Sequence, residues 1–498
     1  MCSEGKPTDT SAPMSRRALI QGAGAVGGLA AASTLFTRTS AAAQAPAPRG
    51  IGERGRRTLI RGGAVLSMDA AVGDFTRGDV LIEGKTIRQV APRIEAGDAA
   101  VIDATSMIVM PGFIDTHHHQ FETALRGLLA DATLTPEGAP AGAADYIGTV
   151  MGKFVPVYRP RDVYISELFG GLSQLDAGVT TVLDISQIHN SPGHTDAVVQ
   201  GLADAGRRAV MTHTGGPKGS VGDVRRVHAR HFASTDQLVT MAMGSEIGFP
   251  GWESTWDIGR ELKVPIASHV VSTLGARDAF DRIARSGKFG PDNIFIHMTG
   301  MSDLGWQAVK DAGSSVSLAV PIEMTMRHGM PPLLKALATG IQPSLSTDVE
   351  CTMTADFFTQ MRSTLTLQRA LVNQMSIEKS ANLPALLTSR DVLRFATIVG
   401  AKALGLDRKV GSLTPGKEAD IILLNADAIN VAPLNNVPGA VVTLMERSNV
   451  DSVFVAGKLR KWRGQLVDVD LSKLRTDLKT SRDYLFRAAK VDRDLFPR

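Results

Sequence analysis

The sequence predicts an α/β chain: a (β/α)8 TIM-like barrel carrying a small β-sandwich domain formed from both ends of the mature chain. Three observations carry this. Eight short β-type segments alternate with helical ones between residues 109 and 405. Two β-rich stretches punctuated by turns, 57–108 and 406–470, flank that middle. Histidines and carboxylates recur at the C-terminal ends of the β-type segments, the rim where a barrel gathers its chemistry.

Composition narrows the classes. The 498 residues are 43% hydrophobic and 21% charged, which suits one large globular domain plus a smaller one. The body of the chain has no run of 18 uncharged apolar residues, so stable membrane insertion is not expected. The formal charge of +4 falls to +2 once residues 1–45 are set aside, since they carry Lys6, Arg16, Arg17 and Arg38 against Glu4 and Asp9. With the basic residues scattered, nucleic acid is excluded as a partner and a small molecule is expected instead. Cys2 and Cys351 are the only cysteines, and removal of the N-terminal segment leaves one thiol and no disulfide.

In chain order, residues 1–45 read as a twin-arginine-type signal peptide. Ser15-Arg16-Arg17-Ala18-Leu19-Ile20 leads into a weakly apolar stretch reaching Phe36, and Ala43-Gln44-Ala45 offers a small-residue cleavage site. The mature protein is therefore expected to be exported, to the periplasm or beyond. Residues 57–108 hold strands at Thr58–Arg61, Ala64–Met68, Asp79–Ile82, Thr86–Val90 and Ala100–Asp103, with turns at Gly62-Gly63 and Glu83-Gly84-Lys85. The same texture returns at Ala419–Asn425 and Val450–Lys458, and residues 471–498 are expected as a C-terminal helical tail.

The barrel opens on Val109–His119, an apolar run interrupted by Pro111-Gly112 that delivers acidic and imidazole groups at its end. On a regular strand Asp115, His117 and His119 share one face, and Thr116 and His118 the other. Two neutral imidazoles on one face make half of a divalent-metal site. Seven further strands are expected at Thr180–Asp184, Arg208–His213, Leu238–Met243, Val264–His269, Asn293–His297, Ser315–Val320 and Gln342–Asp348. Helices are expected at Arg161–Ala177, at Thr195–Ala205, and between an N-cap at Ser302 and a stop at Gly313. The rim then gathers Asp115, His117, His119, His213, His269, His297, Glu323 and Asp348.

Pro111-Gly-Phe-Ile-Asp-Thr-His-His-His119, Gly178-Val-Thr-Thr-Val-Leu-Asp184 and Gly411-Ser-Leu-Thr-Pro-Gly-Lys-Glu-Ala-Asp-Ile421 resemble motifs of the amidohydrolase superfamily, in its cytosine deaminase and triazine chlorohydrolase branch. The resemblance covers nearly the whole mature chain. It implies that His117, His119, His269 and Asp348 bind one divalent metal ion, Zn or Fe(II), and that His297 sits beside the metal-bound water. Such an ion brings the pKa of its water towards ~7, and Asp348 then shuttles the proton to the leaving nitrogen. Binuclear members add a lysine or glutamate on strand four. Leu238–Met243 holds neither, so one ion is expected.

One departure bears on the reaction. Deaminases of this branch carry His-x-x-Glu on strand five, whereas this chain reads His269-Val-Val-Ser272, and a serine hydroxyl is a poor acid near neutrality. Pro321-Ile-Glu323-Met-Thr-Met326-Arg-His328-Gly329 offers Glu323 as a substitute acid, with Met326 and His328 as substrate contacts. Ser272, His213 and Cys351 are further pocket candidates. The leading expectation is hydrolysis of a non-peptide C–N bond in an amide-like or heterocyclic small molecule. The alternatives are a deaminase of a purine, pyrimidine or triazine using Glu323, and a non-catalytic exported metal- or ligand-binding protein. The helical stretch Phe357–Leu371 either packs between the subunits of a homo-oligomer or covers the barrel.

Overall fold

The computed structural model describes residues 50–52, 55–137, 144–214 and 221–496, so the expected export segment lies outside the described residues. The chain begins with β1 (Arg57–Val65), β2 (Phe75–Glu83), β3 (Thr86–Ala91), β4 (Ala100–Asp103) and β5 (Met107–Pro111). Gly62 and Gly63 are not a turn. β1 runs through them as a bulge, and this lets one strand serve two partners: β4 pairs with Thr58–Arg61, and β5 with Ala64 and Val65. A side chain at Gly63 would stand 2.6 Å from Val109 Cγ2, so the close approach of β5 requires glycine there.

The barrel follows as β6 (Phe113–His118), β7 (Val179–Ser186), β8 (Arg208–His213), β9 (Val239–Glu246), β10 (Ile266–Val271), β11 (Asn293–Thr299), β12 (Ser315–Leu318) and β13 (Ser344–Leu345), all parallel and in sequential order. Ile114, Leu183, Val210, Ala242, Ala267 and Ile294, one from each of six consecutive strands, cluster with Ala401 and Leu404 to fill the interior. The ring closes through a parallel bridge between His118 and Asp348. β14 (Ile421–Asn425), β15 (Val450–Val455), β16 (Lys458–Trp462) and β17 (Gln465–Leu466) then return to the first sheet, where β14 lies antiparallel to β5. The small domain is thus one continuous nine-stranded sheet with its own apolar core around Ile60, Val80, Val109, Ile421 and Phe454.

The expected single strand across Val109–Ile114 is corrected. Its first half, β5, belongs to the sheet and its second, β6, to the barrel, so the barrel begins at Phe113 rather than 109. Gly112 marks the change: its N–H donates to Asp420 O, and any side chain there would run into Thr180. The helix Phe357–Ile377 stacks Phe357 on Phe113, with ring centroids 5.7 Å apart, and therefore covers the barrel. The C-terminal helix Leu471–Ala489 packs Phe486 against Phe154 and bonds Ser481 Oγ to Asp162. The Ser302 cap is present, its side chain accepting from Gly305 N–H.

Barrel and sheet are joined by charge as well as by apolar packing. Arg208, opening β8, reaches Glu418 Oε2 at 2.6 Å and Asp420 Oδ2 at 3.2 Å with its side chain only 3% exposed. Asp420→Ala strands part of that buried cation, and the expected loss is about 3–5 kcal/mol. Asp98→Ala, which breaks the exposed Arg57–Asp98 pair, should leave the unfolding midpoint nearly unchanged, since solvent screens that pair. Paired urea-unfolding curves measure the contrast.

Candidate metal centre and pocket

The end of β6 does not alternate regularly. A bulge between Asp115 and His118 resets the phase, so that Thr116 and His117 both face inward. Thr116 Oγ1 meets Ser317 Oγ at 2.7 Å and Ser344 Oγ at 2.8 Å across the interior. Asp115, expected beside His117 and His119, instead points outward. It accepts from Gln174 Nε2 at 2.7 Å and from Thr347 Oγ1, and Gln174 in turn accepts from buried Arg207. It anchors the site from behind.

His117, His119 and His269 converge as expected. His117 Nε2 lies 2.9 Å from His119 Nε2 and 3.1 Å from His269 Nε2, and Asp348 Oδ1 stands 3.5 Å from the first two. The tautomers follow from the other ring nitrogens. His119 Nδ1–H donates to the Ile185 carbonyl at 3.0 Å and His269 Nδ1–H to Glu246 Oε1 at 2.7 Å, so both turn an Nε2 lone pair inward. His117 has one proton at most to set between two lone pairs, and its Nδ1 is buried with no hydrogen bond among the described residues. Burial, reinforced by neighbouring imidazoles, holds His117 and His119 well below the usual histidine range and hence neutral. Close inward lone pairs beside a carboxylate fit a divalent cation, in the donor set typical of zinc or iron(II).

His297 and Asp348 are delivered by strained backbone. His297 has φ 71° and Asp348 φ 61°, a left-handed conformation that side-chain-bearing residues adopt at a cost of about 1–3 kcal/mol. His297 Nε2 lies 3.6 Å from Asp348 Oδ2, and its Nδ1 is 3.1 Å from Glu323 Oε1. Burial lifts Asp348 to about 7 and Glu323 well above the carboxylate range. Glu323 also accepts from Ala319 N–H at 2.9 Å and is fully enclosed. It stands behind His297 instead of lining the pocket, so the expected direct acid is in the wrong place to touch a substrate.

The pocket above these groups has a volume of about 250 Å³. His119, His269, His297 and Asp348 line its floor, with Met326 and His328 at the side as expected. The His328 ring centroid is 4.6 Å from that of His297, and burial lowers its pKa to about 3. Three expected residues are elsewhere. Ser272 opens a short turn, Ser272–Leu274, and leaves the lining to Val271 and Leu274. His213 stacks on His189 at 4.1 Å and pairs with Asp223. Cys351 is fully buried outside the lining.

Several lining residues have no expectation in the sequence. Glu246 is one: β9, the fourth barrel strand, runs three residues beyond the expected Met243 and so does carry a glutamate, contrary to the expectation. Glu246 pairs in register with His269, and its Oε1 is committed to His269 Nδ1, outside the imidazole cluster. Its acidic side chain just past an apolar strand was a usable signal. Tyr146, Ile147 and Met151 come from the stretch after β6 and Gln187 from the β7 loop, where no periodicity fixes position. The Tyr146 hydroxyl donates to Glu122 Oε1 at 2.6 Å, and burial pushes Glu122 up to about 8.

The chain resembles known proteins over most of its length. It is 26% identical over 426 residues to a 5'-deoxyadenosine deaminase of Methanosarcina mazei, covering 80% of this chain and 92% of that one. A 5-methylthioadenosine/S-adenosylhomocysteine deaminase of Pyrococcus abyssi is 25% identical over 442 residues, or 84% and 96% of the two chains. Among solved structures, a zinc-bound adenosine deaminase from Xanthomonas campestris superposes with a TM-score of 0.74 at 20% identity, covering 87% of this chain and 99% of the other. A zinc complex of an atrazine chlorohydrolase from Arthrobacter aurescens gives 0.73 at 19% identity, covering 85% and 100%. These likenesses share the barrel and sheet found here. The family model described as Amidohydrolase family matches residues 108–460, and the chain belongs to that family.

Proposed function

We propose that the protein is a metal-dependent hydrolase that uses activated water to cleave a non-peptide C–N bond of a small amide-like or heterocyclic molecule. One observation carries the reading: the Nε2 atoms of His117, His119 and His269 crowd together at and just beneath the pocket floor, with Asp348 Oδ1 3.5 Å from the first two. Membership of the amidohydrolase family supports an enzyme over a non-catalytic binding protein.

In this reading His117, His119, His269 and Asp348 would hold one divalent ion, zinc or iron(II). Such an ion, when bound, lowers the pKa of a water towards ~7 and polarises the group under attack. Asp348 Oδ2, buried and without a hydrogen bond among the described residues, is the oxygen that would accept the water's proton and return it to the leaving nitrogen. His297 orients the electrophile through Nε2, and Glu323 Oε1 keeps His297 in place by accepting a hydrogen bond from its Nδ1–H. Glu323 is thereby a positioning residue. A second reading, deamination of a purine-like substrate, draws support from the names of the relatives; in it His297 carries the effect of Glu323 to the substrate. Export of the mature chain belongs to the same proposal and rests on the Arg16-Arg17 segment; a reporter fused to residues 1–45 that stays inside the cell would dispose of it.

The purified protein is expected to hold one equivalent of divalent metal by mass spectrometry, and His119→Ala to lose it while keeping its circular dichroism spectrum. A metal-free, active wild type would sink the reading. Product analysis across amides, aminopurines, aminopyrimidines and triazines separates the two readings, since ammonia from the amino-heterocycles marks the second. On whichever substrate turns over, Asp348→Asn should lower kcat by about 10²–10⁴-fold with the metal retained. Glu323→Gln should cost about 10–100-fold, as expected of a group that orients another; a direct acid would instead lose as much as Asp348→Asn.

A further inference from the structure

Glu246 is bonded to His269, and orienting that imidazole needs only one of its oxygens. Oε1 accepts from His269 Nδ1 at 2.7 Å and also from Gln187 Nε2 at 2.8 Å. No hydrogen bond reaches Oε2 among the described residues, and the side chain remains 32% exposed. Above the imidazoles and Asp348 of the floor, the pocket that Glu246 lines has largely apolar walls, with Leu134, Ile147, Met151, Phe249, Leu274 and Met326 among them. A second cavity of about 840 Å³ adjoins the first, and Met151, Gln187, Glu246 and Phe249 line both. The carboxylate therefore stands at the junction of an apolar pocket and an outer chamber.

The consequence is a matter of desolvation. In the open pocket, water solvates Oε2. A ligand that fills the pocket removes that water, and a carboxylate left in apolar surroundings is strongly destabilised unless the ligand supplies a donor. Neutral and anionic ligands are penalised, whereas a cationic N–H makes a charge-assisted bond. We propose that the pocket takes a ligand bearing an amine or amidinium on an apolar body, and that Glu246 is the carboxylate that binds it. This rests on the hydrolase reading only for what happens to the ligand afterwards. It assigns the substrate class: the scissile C–N bond lies near a basic nitrogen, and the apolar part contacts Phe249 and Met151.

The test is calorimetric binding near neutral pH with three flat probes of similar size, namely benzamidine, benzamide and benzoate, on the full mature chain with its bound metal. Wild type should bind benzamidine at least about tenfold more tightly than benzamide. Benzamide or benzoate binding as tightly as benzamidine overturns the proposal, and this comparison needs no variant. Glu246→Gln keeps an acceptor for His269 and removes the charge, so the preference should shrink to within about twofold with metal content unchanged. A preference that survives in this variant, or that disappears together with the metal, shows a carboxylate acting only through His269 and overturns the assignment. A protein that prefers benzamidine yet hydrolyses no compound leaves the pocket assignment standing and removes the hydrolase reading.

Discussion

The structure depends on one seam. β13 is only two residues long, and the barrel closes past its end through two backbone hydrogen bonds: His119 N–H to Asp348 O at 2.9 Å and Asp348 N–H to His117 O at 3.0 Å. The residues that complete the ring, His117, His119 and Asp348, also carry three of the side chains gathered at and beneath the pocket floor. Closing the barrel and assembling the site are therefore a single event. Thr347 links the seam to the buried network behind it, since its hydroxyl donates to Asp115, which Gln174 and Arg207 hold in turn. The strained φ at Asp348 persists because these surroundings fix its backbone on both sides.

Electrostatics within the site follow from burial and from which ring nitrogen is already committed. The backbone carbonyl at Ile185 and the carboxylate of Glu246 take the outer protons of two histidines, and the inner nitrogens are left as lone pairs in a space too small for all of them to be tolerated without a positive charge. Burial raises the Asp348 and Glu323 carboxyls, and Glu323 has no basic partner apart from His297 among the described residues. The floor is thus assembled for a cation, while its supports are largely neutral groups.

Much of this was legible in the sequence, for physical reasons that also explain the failures. An apolar run ending in imidazoles, repeated at successive strand ends, can be read because parallel strands are buried on both faces and expose only their C-terminal tips. That identifies His117, His119, His269, His297 and Asp348. Asp115 was misplaced because a bulge changes which side of a strand a residue occupies, and nothing in residue type signals it. The strand across Gly112 looked continuous because both halves are apolar; their different partners, Ile421–Asn425 and Val179–Ser186, are remote in the chain. Glu246 was overlooked because the apolar signal stopped at Met243 while the ladder continued. Glu323 was found, but its depth behind His297 depends on a short helix, Val320–Thr325, whose direction sequence does not set.

The sheet assembled from both ends of the chain bears on how the protein is made. β5 sits between β1 and β14, so during synthesis one edge of β5 has no neighbour until the whole barrel and then Ile421–Asn425 have left the ribosome. An unpaired, fully apolar edge is a template for unwanted pairing, and long-range closures of this kind are slow. A nascent chain halted anywhere in the barrel therefore still exposes that edge of β5.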